Sequence, residues 1–86
     1  MSRKELEELL KDNSTEMMYE LHTSDLVNIK EFVNVSLQID KKTLDYYYEI
    51  DVDELLNSNM PIDKYEILKS QGWALQEKKI VIYLKT

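Results

Sequence analysis

Residues 32–52 read Phe32-Val-Asn-Val-Ser-Leu-Gln-Ile-Asp-Lys-Lys-Thr-Leu-Asp-Tyr-Tyr-Tyr-Glu-Ile-Asp-Val52, and the alternation in this stretch decides the fold. In its first half Val33, Val35, Leu37 and Ile39 share one parity, with Asn34, Ser36 and Gln38 on the other. In its second half Leu44, Tyr46, Tyr48, Ile50 and Val52 alternate with Asp45, Tyr47, Glu49 and Asp51. A period of two sends neighbouring side chains to opposite faces of an extended chain. The short polar link Asp40-Lys41-Lys42-Thr43 joins the two runs as an antiparallel hairpin. The pattern predicts Ile39 opposite Leu44, Leu37 opposite Tyr46, Val35 opposite Tyr48 and Val33 opposite Ile50. A slip of one residue would turn an apolar set into water.

Upstream, Ser2 to Asp12 reads as a helix. Ser2 and Glu5 have capping-box spacing, and Leu6, Leu9 and Leu10 form an apolar stripe. Thr15 to Lys30 is readable in two ways. Met17, Tyr19 and Leu21 alternate as a strand, and Val27 and Ile29 extend the parity of Val33. The rival is a helix with Ser24 as N-cap and Leu26, Ile29, Lys30 and Val33 along one side. The strand is the preferred reading.

Downstream, Asp51 has the spacing of a helix cap with Glu54 at the third position. Leu55 and Leu56 follow, and Asn57-Ser58-Asn59 closes that turn. Pro61 suits the start of a further helix with Ile62, Tyr65 and Leu68 on its buried side, and Gly72 suits its left-handed end. Trp73 to Lys85 reads as a second hairpin turning at Glu77-Lys78-Lys79. Both parities of its last run are apolar, through Ile80, Ile82 and Leu84 and through Val81 and Tyr83, which places that strand inside the sheet. The expectation is one α+β domain over residues 1–86. It has an antiparallel sheet of four to five strands, built from two hairpins and an optional N-terminal strand. An N-terminal helix and a helical region between the hairpins lie on one side. Val35, Leu37, Tyr46, Tyr48, Ile50, Trp73, Ile80 and Ile82 should share its core with Leu6, Leu9 and Leu68.

Composition narrows the chemistry. With 86 residues and no cysteine, a single core must suffice without disulfides or thiolate metal sites, which fits a cytoplasmic setting. No apolar run approaches the roughly 20 residues of a membrane helix. Seventeen acidic residues against eleven basic give a net charge of −6, which argues against direct nucleic-acid binding. Between Thr43 and Asp63 there is no Lys or Arg, yet Asp45, Glu49, Asp51, Asp53, Glu54 and Asp63 all fall there. This is either a solubilising surface or one aimed at a basic partner.

Catalytic and cofactor signatures are sparse. His22 is the sole histidine, and one glycine cannot build a phosphate-binding loop. Asp51, Asp53 and Glu54 fail the calcium-loop pattern, because Leu55 and Leu56 stand where a ligand and a glycine are needed. No cofactor or metal is therefore expected. Tyr46 and Tyr48 belong to the apolar parity, whereas Tyr47 lies among Asn34, Ser36, Gln38, Asp45 and Glu49. A base-stacking sheet would carry Lys or Arg beside such a ring. Tyrosine among polar groups is common at protein contacts, and equally in exposed strands.

In general character the chain resembles the small acidic inhibitors that phages and other mobile elements make, such as anti-CRISPR proteins and uracil-DNA glycosylase inhibitors. That resemblance rests on short length, carboxylate-rich surface, absence of cofactor motifs and α+β layout. It implies a non-enzymatic protein-binding module that occupies the basic site of a nucleic-acid-handling protein. Asp45, Tyr47, Glu49, Asp51, Asp53 and Glu54 are its candidate contact residues. The alternative is a structural or regulatory subunit, or a homodimer joined through a sheet edge, whose acidity serves solubility.

Overall fold

The computed structural model describes residues 1–85. Helix α1 (Arg3–Leu10) starts in the expected capping box: the Ser2 hydroxyl accepts from the Glu5 amide, and the Glu5 carboxylate accepts from the Ser2 amide. Leu6 and Leu10, one turn apart, are its buried residues. A short strand β1 (Met18–Tyr19) follows, then helix α2 (Thr23–Lys30). Strands β2 (Ser36–Ile39) and β3 (Tyr46–Asp51) form the central hairpin. Helices α3 (Val52–Asn57) and α4 (Ile62–Gln71) lead to the second hairpin, β4 (Ala74–Gln76) and β5 (Lys79–Leu84).

The sheet is mixed rather than purely antiparallel. Strand β5 lies inside it, as the two apolar parities of its sequence predict. β3 runs antiparallel to β5 on one side. On the other side β4 pairs antiparallel with the start of β5, and β1 pairs parallel with its end. The Lys85 amide donates to the Tyr19 carbonyl at 2.9 Å, extending that parallel contact. Alternation along a segment reports which residues share a face and is silent on strand direction. A two-residue strand paired with the far end of the chain therefore leaves little local trace.

Residues 23–30 are helical, which corrects the preferred strand reading. Leu26 and Ile29 are buried, whereas Val27 is 51% exposed, so an i, i+3 face overrides the odd-numbered parity. Val33 continues the buried side, and His22 rather than Ser24 occupies the N-cap position.

The central hairpin also closes in a shifted register. Ile39 faces Tyr46 and Leu37 faces Tyr48, two residues beyond the expected partners. Asp40 sets this shift. Its amide donates to the Asp45 carbonyl at 2.8 Å, and its Oδ1 accepts from the Lys42 amide at 2.9 Å. The turn therefore begins at Lys41, an Asx-type start. Leu44, expected in the strand, sits in the turn at φ 64° and donates its amide to the Asp40 carbonyl. That left-handed conformation costs a branched side chain about 1–2 kcal/mol. A shift of two preserves every face, so the amphipathic pattern survives it.

All four helices pack on one face of the sheet. Leu6, Leu10, Leu26, Ile29, Val52, Leu55, Tyr65 and Leu68 meet Ile50, Ile80 and Ile82, with Trp73 fully buried among them. Tyr65 donates to the Leu55 carbonyl at 2.9 Å and so ties α4 to α3. Gly72, at φ 99°, ends α4 in a Schellman arrangement, with Trp73 N donating to Leu68 O and Gly72 N to Lys69 O. The Asn13 side chain donates to the Lys69 and Trp73 carbonyls, clamping this corner to the end of α1.

The core excludes two residues expected in it. Leu37 is 54% and Tyr46 46% exposed, because the helical layer does not extend over the β2 side of the hairpin. Val35, Tyr48 and Leu9 pack against the core only in part.

Candidate functional site

The face of the sheet opposite the helices takes its side chains from the polar parity of β3 and β5. Strand β3 contributes Tyr47, Glu49 and Asp51, and their partners on β5 are Tyr83, Val81 and Lys79. Tyr47 stacks on Tyr83 with ring centroids 4.9 Å apart and planes at 26°. Tyr83 donates its hydroxyl to Asp40 Oδ2 at 3.0 Å, which fastens β5 to the hairpin turn. Lys79 Nζ lies 2.9 Å from Glu49 Oε2 and 5.5 Å from the centroid of the Tyr47 ring. Ring, ammonium and carboxylate thus form one ordered row across two strands.

Electrostatics follow from these contacts. The Lys42 amide and then the Tyr83 hydroxyl hold the Asp40 carboxyl below its usual range. Loss of hydration, followed by the hydrogen bond to Asp40, pushes the Tyr83 phenol up. The hydrogen bond that Lys79 donates to the Glu49 carboxylate pushes the Lys79 ammonium up.

The six predicted contact residues separate into groups. Glu49, Asp51 and Glu54 come together around an open depression of about 210 Å³, completed by Asn34, Ser36, Lys78 and Lys79. Asp51 is also the N-cap of α3, accepting from the Glu54 amide at 3.0 Å. Glu54 Oε1 accepts from the Asn34 amide at 2.9 Å, so it anchors the entry to β2. Asp45 lies at the other end of β3, in a second hollow with Glu16, Asp40 and Tyr83. Tyr47 stands between the two hollows. Asp53 is exposed in the first turn of α3 and lines neither.

Asp40, Lys79 and Tyr83 also belong to this face and were not singled out from the sequence. Tyr83 and Lys79 share the parity of Val81, so their orientation was readable once β5 was recognised. Their placement opposite Tyr47 and Asp51 depends on β3 pairing with β5, a contact that no local pattern encodes. The window free of basic residues is therefore free of them along the chain and not in space, because Lys78 and Lys79 enter it from the second hairpin. His22 is exposed and makes no capping hydrogen bond with its side chain.

Chemically the face offers acceptor oxygens around an aromatic pair. That combination suits recognition of guanidinium and ammonium groups, by charge-assisted hydrogen bonds and by contact with a ring face. Among the described residues no helix is long and apolar enough to cross a membrane. The chain matches no family model, no curated protein sequence and no solved structure.

Proposed function

We propose that this chain is an acidic binding module without catalytic activity, whose open sheet face receives a basic surface of another protein. The observation that carries this reading is the Tyr47–Tyr83 stack, framed by Asp40, Asp45 and Glu49 on the face that the helices leave uncovered. Aromatic residues at the centre of a polar rim are the usual anchors of protein contacts. A nucleic-acid-handling protein is the partner class that fits best, since its groove already accommodates spaced negative charge. An inhibitor of the anti-CRISPR kind would work in this way, by occupying that groove.

The competing reading, a subunit that associates with its own copies, is favoured by a different observation. Leu37, Ile39 and Tyr46 are exposed at the sheet edge.

Capture with the immobilised chain, identification of the bound protein and kinetics on the purified pair test the acidic-face reading. The informative variant combines Asp45→Asn, Glu49→Gln and Asp51→Asn. Asparagine caps a helix as well as aspartate, so α3 keeps its start. Association should slow by about tenfold at low salt, with a flatter salt dependence, because rim charges act through steering. Unchanged association and salt slope would move the contact away from this face.

A further inference from the structure

We propose that two copies of this chain join edge to edge through β2, antiparallel about a two-fold axis, into one continuous sheet. Strand β2 has a single neighbour, β3, among the described residues. The bond from the Asp40 amide to Asp45 shows which backbone groups point inward. In an antiparallel ladder these alternate, so Asp40, Gln38 and Ser36 address β3 while Leu37 and Ile39 direct their N–H and C=O groups outward.

Edges of this kind are ordinarily blunted by proline, a bulge or an inward-pointing charge. Strand β2 has none of these. Its pairing with β3 is unbroken from Ser36 to Ile39, and the chain's single proline is Pro61. Leu37 and Ile39 instead remain 54% and 43% exposed on the face that, farther in, forms the core.

The second copy is the occupant that this edge fits, because the edge is self-complementary in charge. Lys41 and Lys42 stand at one end of β2. At the other end lies the depression bordered by Asn34 and Ser36 and containing Glu49, Asp51 and Glu54. Antiparallel pairing brings the basic end of each copy to the acidic end of the other. With Gln38 on the axis, Leu37 faces Ile39 of the second copy, and the lysine pair arrives beside Asn34. There the Glu54 carboxylate is already oriented by the Asn34 amide.

The two core faces fall on the same side of the joined sheet. Leu37, Ile39 and Tyr46 of both copies then form one apolar strip between the two helical layers. The contact uses the same edge in both copies, so it closes at two. Tyr47, Tyr83 and Asp45 stay on the opposite face and take no part in this pairing, whereas Glu49, Asp51 and Glu54 would be shared with a basic partner.

Sedimentation of the full chain over a range of concentrations tests the proposal, with each variant's fold followed by circular dichroism. The wild type should approach twice the single-chain mass of 10.3 kDa as concentration rises. Ile39→Lys, at an exposed side chain, should preserve the fold and weaken pairing by about thirtyfold or more, since the symmetric contact is lost twice. Leu37→Pro removes one outward amide and should act in the same direction. Lys41→Glu with Lys42→Glu should weaken pairing about tenfold. If Leu37→Pro does not fold, Ile39→Lys and the charge reversal decide. A wild type that remains a single chain up to millimolar concentration overturns the proposal. So does a dimer that Ile39→Lys and the charge reversal both leave intact.

Discussion

At the inner end of β3, Ile50 is wholly buried against Ile80 and the helical layer, while four residues earlier Tyr46 leaves 46% of its surface open beside Ile39. Both residues lie on one strand and one parity, and both sit opposite aliphatic partners. They differ in what stands over them. Leu55 of α3 and Leu68 of α4 share the core with Ile50, and that cover ends before it reaches the β2 side. Alternation therefore identifies the face of a sheet that is apolar, and the extent of the helical layer decides how much of that face becomes core.

The largest effect should come from the inner region. Trp73→Ala should cost about 3–5 kcal/mol and Ile50→Ala about 2–5 kcal/mol in denaturant unfolding, because each leaves a cavity in packed surroundings. Leu37→Ala, in dilute solution, should cost less than about 1 kcal/mol, since its side chain is half in water. Equal losses at Ile50 and Leu37 would break the comparison.

Gly72→Ala comes next, at about 1–3 kcal/mol, because the residue holds positive φ and an added Cβ would run into the Tyr19 ring. A neutral result by thermal unfolding would mean that the Tyr19 contact at the α4 corner is loose.

The smallest effect concerns pH and is read on the open face. Asp40 has a lowered pKa, so its contribution is present above the ordinary value of 3.8 and disappears as pH falls through the lowered one. Tyr83 and Lys79 have raised values. Their contributions are present below 10.0 and 10.5 respectively and disappear as pH rises through the raised ones. Tyr83→Phe removes both the phenol and the donor to Asp40, and should flatten the acid and alkaline limbs of a stability–pH profile together. An unaltered profile would show that the Tyr83–Asp40 bond is not maintained in solution.

The helix caps were read correctly from the chain, whereas Ile62, expected on the buried side of α4, is exposed. Ser2 with Glu5, Asp51 with Glu54, and Gly72 each mark a helix boundary through a few adjacent residues, and the structure places a boundary at each. The two hairpins and the inner position of β5 follow from parity in the same way. What the chain concealed is non-local or competitive. Residues 23–30 satisfy both periods, with Val27 and Ile29 fitting a strand and Leu26 and Ile29 a helix, and tertiary packing selected the second. The parallel pairing of β1 joins Met18 to Tyr83 across most of the chain. At the candidate site Tyr47 and Glu49 were identifiable by parity, but Tyr83 and Lys79 became their neighbours only through β3–β5 pairing.

The helix-covered face of the sheet holds the fold, and the opposite face is proposed to meet a partner. The dissociation rate of the captured partner from Tyr47→Ala, with unfolding free energy measured on the same preparation, tests this division. Dissociation should be at least about tenfold faster, as for loss of a central aromatic anchor. The stability loss should be no more than about 1.5 kcal/mol, the scale of one aromatic pair. An unchanged dissociation rate, in a variant that folds normally, would contradict this division.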